Sequence, residues 1–195
     1  MNVLLKLSGA IDTVNRSVGR SLSWLVLVAV LVSATNAVVR KVFGVSSNSW
    51  LELQWVLFSI IFLVGASWTL LENEHIRIDI VNNVLPARVR NTIDLIGHIF
   101  FLLPFTIVML VTSLPFFLDS YRINENSQNA GGLPQWPTKL LIFIGFACLL
   151  LQAVSELIKR VAIMRGLMAD PHAAEARATD AEAKRIISAI QSETR

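Results

Sequence analysis

Residues 72–81, ENEHIRIDIV, hold the densest group of chemically capable side chains in the sequence. Glu72, Glu74, His75 and Asp79 offer carboxylate and imidazole atoms, and a metal site needs three or four such ligands converging. Asp94 and His98 add a second pair, four residues apart, a spacing that permits a carboxylate–imidazole hydrogen bond on one helix face. A stand-alone membrane enzyme or metal-binding protein would therefore centre on His75, Asp79, Asp94 and His98. The surroundings argue against it. One histidine among carboxylates is a weak metal signal. A proton relay needs a chain of polar groups across a membrane, and the middles of the apolar runs offer none in the primary pattern. There is no glycine-rich phosphate loop, no Ser/His/Asp set in a plausible context, and the single cysteine, Cys148, sits inside an apolar run. No catalytic, cofactor-binding or metal-binding residue is assigned, and the chain is read as not an enzyme.

The elements that must position these residues follow from composition. Among 195 residues 54 % are hydrophobic and only 16 % charged, against roughly 25 % charged in ordinary soluble chains. Too little polar surface remains to face water on all sides, so part of the solvent must be lipid. Four runs suit a bilayer crossing of about 20 apolar residues: 22–39, 50–71, 93–117 and 136–158. Each is expected to be a helix, which satisfies its own backbone in lipid, and Pro104 predicts a kink in the third. Trp24, Trp50, Trp68 and Trp136 fall near span ends and Trp55 about one turn inside, the pattern of an interfacial belt. One cysteine excludes an intrachain disulfide, and no basic stretch interleaved with aromatics suggests nucleic acid.

Lysine and arginine orient the spans. Lys6, Arg16, Arg20, Arg77, Arg88, Arg90, Lys159, Arg160 and Arg165 fall on one side, and Arg40, Lys41, Arg122 and Lys139 on the other. The richer side is the cytoplasm, so both termini and the 72–90 loop are expected there. The first apolar run begins only after Arg20 and lacks a small-x-small cleavage pattern, so it is read as retained.

Residues 1–20 form an amphipathic segment, 21–165 the four-span domain and 166–195 a cytoplasmic tail. In the first, Leu4, Leu7, Ile11, Val14 and Val18 make one helical stripe, which predicts a helix lying on the membrane surface. Ile76, Ile80, Val81, Val84 and Leu85 fit a short interfacial helix over 76–85, with His75 facing Asp79 and Arg77 turned to water or headgroups. Residues 120–139, rich in Asn, Gly and Pro, read as an outer loop. The tail over 171–195 has helical propensity but a thin apolar stripe. The fold class is an all-α membrane protein: four transmembrane helices, an N-terminal amphipathic segment and a short interfacial helix between spans two and three.

Glu52 lies one turn inside the second span, where a carboxylate must be paired, reach water or be protonated. It is read as a snorkelling anchor or as a hydrogen-bonded contact to a partner helix, with Arg40 or Lys41 as the only evident mates. Ala29, Ser33, Ala34 and Ala37 in the first span, and Ser59, Gly65, Ala66 and Ser67 in the second, allow close helix approach. These features describe a helper that packs against a larger membrane protein, with no transport cavity of its own.

The order of features over about residues 18–165 resembles the small membrane subunit (Q, or DctQ-like) of tripartite ATP-independent periplasmic (TRAP) transporters. The most specific stretch is ELQWVLFSIIFLVGASWTLLENEHIRIDIV: Glu52 opening the second span, Gly65–Ala66 further along, then His75-x-Arg77-x-Asp79. ENSQNAGGLPQWPTK feeding the fourth span and LLLQAVSELIKR closing it belong to the same pattern. The resemblance implies a bacterial inner-membrane protein without cofactor. It implies a large membrane subunit and a periplasmic substrate-binding protein as partners, beside membrane lipid. The large subunit would carry an organic acid inward on a sodium gradient while this chain braces its static scaffold. Glu52, Trp55, Gly65, His75, Arg77 and Asp79 are then interface or structural residues. The long outer loop and the 30-residue tail depart from the family pattern.

Overall fold

The computed structural model describes residues 2–45, 47–72 and 87–168. His75, Arg77, Asp79, the expected helix over 76–85 and the tail from 169 lie outside the described residues. Within them the chain is helical: α1 spans Asn2–Phe43, α2 Asn48–Leu71, α3 Ala87–Gly97, then a π-helical turn His98–Leu102, α4 Leu103–Arg122 and α5 Trp136–Met164. Four stretches are long and apolar enough to cross a membrane: Val3–Phe43, Asn48–Leu71, Val89–Arg122 and Trp136–Met164. α2 and α5 run side by side at the centre, α1 covers both, and α4 packs on α5.

The first span and the amphipathic segment are one helix. At 1.5 Å per residue its 42 residues extend about 63 Å, twice the roughly 30 Å hydrocarbon core. The segment is amphipathic as expected, but its polar face is the one that packs. Ser8, Asn15 and Gly19 are buried, whereas Leu4, Leu7, Val14 and Val18 are exposed. A hydroxyl or amide removed from water demands a protein partner, and α5 supplies those partners, as described below. The apolar stripe is left on the outer surface of the bundle.

The third span breaks where Pro104 requires it. Proline lacks an N–H and its ring clashes with the carbonyl four residues back. The helix absorbs this as the single π turn just before α4, with Thr106 Oγ1 donating to the Leu102 carbonyl at 2.8 Å. Thr106, Ser113 and Ser120, seven apart, are the buried residues of α4. Small polar residues at that period let two helix backbones approach. α4 ends in a Schellman motif. Asn124 takes φ +47°, the Glu125 N–H reaches the Ser120 carbonyl at 3.0 Å and the Asn124 N–H the Tyr121 carbonyl at 3.1 Å, satisfying carbonyls a helix end leaves open. The apolar core is small: Leu70, Leu149 and Ala153, with Ala66, Leu102, Leu103 and Phe146 against them.

Candidate functional site

Two polar clusters stand at opposite ends of the central pair. The first is built on Glu52, 5 % exposed. Its Oε1 accepts hydrogen bonds from the Ser127 hydroxyl and from Asn129 Nδ2 at 2.9 Å, and its Oε2 accepts from the Leu133 N–H at 2.6 Å. The expected mates Arg40 and Lys41 are not among these, and both are exposed. Three neutral donors on one carboxylate satisfy most of its lone pairs without a cation. Ser127 Oγ also accepts from the Asn129 N–H at 3.2 Å, the local turn that short polar side chains favour.

The loop closes on itself around this carboxylate. The Ser127 N–H bonds the Leu133 carbonyl at 3.1 Å and the Gln135 N–H the Glu125 carbonyl at 2.8 Å. Asn48 Nδ2 holds the Ala130 carbonyl at 3.0 Å and the Ser49 hydroxyl holds that of Gly131, so the first turn of α2 cradles the loop tip. A Cβ on Gly132 would lie 2.5 Å from Ser127 Cβ and 2.8 Å from Glu52 Oε1. Only glycine lets the chain pass between them and aim the next N–H at the carboxylate. Lys139 pairs with Glu125 and sits 4.1 Å above the Phe116 ring. The hydrogen bond and charge of Lys139 hold the Glu125 carboxyl below the usual glutamate range. ENSQNAGGLPQWPTK is thus a folded plug tied to α2, where composition alone reads a polar loop.

The second cluster joins α1, α2 and α5, and its members were not singled out as site residues from the sequence. Gln152 is fully buried in α5 and spends its amide completely. Its Oε1 accepts from Asn15 Nδ2 at 2.7 Å, and its Nε2 donates to Asp12 Oδ1 at 3.0 Å and to Glu156 Oε1 at 3.0 Å. Asp12 also accepts from the Ser155 hydroxyl at 2.7 Å and from Lys159 Nζ at 3.0 Å. Lys159 in turn pairs with Glu156. Ser155 and Ser8 stand hydroxyl to hydroxyl at 2.7 Å, and Ser155, donating to Asp12, accepts from Ser8. Ser67 of α2 donates to its own Val64 carbonyl at 2.8 Å and stands 3.4 Å from Asn15 Oδ1. The missed signal was present. Ser8, Asp12, Asn15 and Gly19 step by four, three and four, and Gln152, Ser155 or Glu156, and Lys159 repeat the step, which aligns each set on one helix face.

The pair at 94 and 98 resolves differently from a carboxylate–imidazole contact. His98 Nδ1 lies 2.7 Å from the Asp94 backbone carbonyl, while the Asp94 carboxylate takes Arg160 Nη2 at 3.2 Å. Arg160, buried, also donates to Asn91 Oδ1 at 3.3 Å, so it clips α3 to α5. Trp55 is exposed on α2, and Gly65 faces Leu22, whose Cδ1 a Cβ there would meet at 3.6 Å. Among the described residues no three His, Cys, Asp or Glu side chains converge as a metal site would need.

Both clusters are assembly devices, in which each polar group is spent on another group of the same chain. A family model described as "Tripartite ATP-independent periplasmic transporters, DctQ component" matches residues 19–162. The chain belongs to the DctQ family. No curated protein and no solved structure is similar enough to match it. The match begins at the buried Gly19 and ends at the buried Ala162, so it takes in both Glu52 and Gln152. As a DctQ component the chain is a multi-pass membrane protein and the small membrane subunit of a TRAP transporter.

Proposed function

We propose that this DctQ subunit braces the large membrane subunit of its transporter during sodium-driven, binding-protein-dependent uptake of an organic acid, and performs no chemistry itself. The observation that carries this reading is where the polar groups go. Gln152, Asn15, Asp12 and Glu52 are consumed by internal hydrogen bonds, while the π turn presents Phe100 and Phe101, and α4 presents Phe105, Val108 and Val111, outward. Rigid helices with saturated interiors and apolar exteriors suit a scaffold, whereas a substrate path needs unspent polar groups at mid-membrane. The large subunit and a periplasmic binding protein are the partners in this reading. The membrane is the bacterial inner membrane, and the excess of Lys and Arg at the Gln152 end of the bundle sets both termini in the cytoplasm. The Glu52 plug then faces the periplasm. His75, Arg77 and Asp79, in the cytoplasmic loop, would set the depth and angle of spans two and three.

Reconstitution tests the reading. Liposomes holding this chain alone, supplied with the binding protein and a sodium gradient, should take up no substrate. Adding the large subunit should restore uptake, and the two should co-purify. Uptake by the small chain alone would overturn the assignment.

A further inference from the structure

An open groove of about 450 Å³ runs between α1 and α2. Leu22, Val26, Ile61, Phe62, Gly65 and Trp68 line it, with the small hydroxyls of Ser23 and Thr69 at its edge. Its walls are apolar, yet one end is charged. There the Trp68 indole lies directly on bare backbone: a Cβ on Gly19 would fall 2.2 Å from Trp68 Cγ. Trp68 Nε1 donates to Glu72 Oε1 at 3.2 Å, and Arg16 Nε meets the same oxygen at 3.3 Å. Among the described residues Arg16 is joined to Glu72 through Nε alone, and its side chain is 54 % exposed, so its Nη groups face outward to a further acceptor. Arg20 lies four residues further along α1, three before Ser23, and is exposed. Among the described residues this end therefore carries two guanidinium groups against one carboxylate.

Depth matches the chemistry. Residues 61–69 rise about 12 Å along α2, close to the half-thickness of a roughly 30 Å hydrocarbon core. The apolar length of the groove spans one leaflet, and Arg16, Arg20 and Glu72 lie at headgroup level, where α2 ends. We propose that the groove holds an acyl chain of an anionic glycerophospholipid whose phosphate sits on Arg16 and Arg20. An apolar slot with cations at one end only has the polarity of a phospholipid, and basic residues between spans are a known way to hold anionic headgroups. A crossing partner helix would fill the slot without needing an anion site at its end. The proposal depends on the chain lying in a membrane and is independent of the bracing role.

Native mass spectrometry of the delipidated full chain tests it, with phosphatidylglycerol and phosphatidylcholine of identical tails as probes. One phosphatidylglycerol should be retained in clear preference to phosphatidylcholine. Arg20→Gln should weaken it about fivefold, and the Arg16→Gln/Arg20→Gln pair about twentyfold, leaving the two lipids equal. The Arg16→Lys/Arg20→Lys pair should keep the preference, which separates lost charge from lost fold. Ser23→Leu, which fills the slot from an exposed position, should reduce both lipids. Equal retention of both lipids by the wild type, or unchanged retention by the double Gln variant, would overturn the proposal. So would full displacement by inorganic phosphate alone. Cross-linking of Ser23→Cys to the large subunit in a complex that holds no lipid would assign the groove to a protein helix instead.

Discussion

The two ends of α2 solve the same problem in opposite ways. Each must place a carboxylate near apolar helices. At one end Glu52 is a hub: a single anion collects Ser127, Asn129 and the Leu133 N–H from one loop, with no cation paired to it among the described residues. At the other, Asp12, Glu156 and Lys159 form a web in which the lysine serves both carboxylates and Gln152 ties them to Asn15. The hub orders a loop whose backbone has no regular structure of its own. The web joins helices that are already saturated along their backbones. Losing the hub should therefore disorder one segment and spare the bundle, and losing a web member should weaken the bundle and spare the loop.

The largest effect should come from Asp12→Ala. It strips Gln152, Ser155 and Lys159 of one acceptor each, and Lys159 remains beside Glu156 alone. Breaking one side of such a half-buried pair costs about 3 kcal/mol. Unfolding of the purified chain in mixed micelles should show the loss, and Asp12→Asn, which can still accept from Gln152 and Ser155, should recover part of it. Gln152→Leu comes next, at about 1–3 kcal/mol, because it leaves Asn15 Nδ2 and one Asp12 lone pair unsatisfied in a buried site. If either change left stability untouched while altering exchange in the 125–135 loop, the division between web and hub would fail.

The different legibility of the two ends has a physical cause. Span count and span positions follow from hydropathy, because lipid imposes length and polarity on every crossing helix. Glu52 stood out for the same reason, as a charge inside an apolar run. Its partners did not, because Ser127, Asn129 and Gly132 lie 75 or more residues away, and only the folded loop brings a backbone N–H and two side chains onto one carboxylate. Asp12 and Asn15 were hidden by a different effect. Sequence periodicity shows which face of a helix is apolar but not which solvent it meets. Here the Leu4–Val18 stripe stays exposed, and the polar face becomes the packing face because α5 offers it hydrogen-bond partners. His98 carries a similar lesson, since spacing placed it correctly near Asp94 but could not reveal that Arg160 claims the carboxylate.

Glu52→Ala should act locally. Amide exchange at Leu133, Asn129 and Gln135 should accelerate strongly, while the unfolding midpoint moves less than in Asp12→Ala. A midpoint loss equal to that of Asp12→Ala would mean that the plug supports the whole bundle and that hub and web are coupled.

The smallest effect concerns pH and the loop's second anchor. The hydrogen bond and charge of Lys139 depress the Glu125 carboxyl, so its folded value lies below the ordinary glutamate value of about 4.3. A depressed carboxylate contributes stability that is fully present above that ordinary value. The contribution fades as pH falls through the folded value, where protonation removes the charge that Lys139 faces. Protection factors at the Gln135 amide, which bonds the Glu125 carbonyl, should stay flat from neutrality to about pH 5 and fall below that. Glu125→Gln should start lower and lose this pH dependence, because a neutral amide can still accept a hydrogen bond but cannot titrate. The fall should remain in Glu52→Ala if the two anchors act separately. If Glu52→Ala abolished it, Glu125 and Lys139 would be held in place by the Glu52 hub, and the plug would be one cooperative unit.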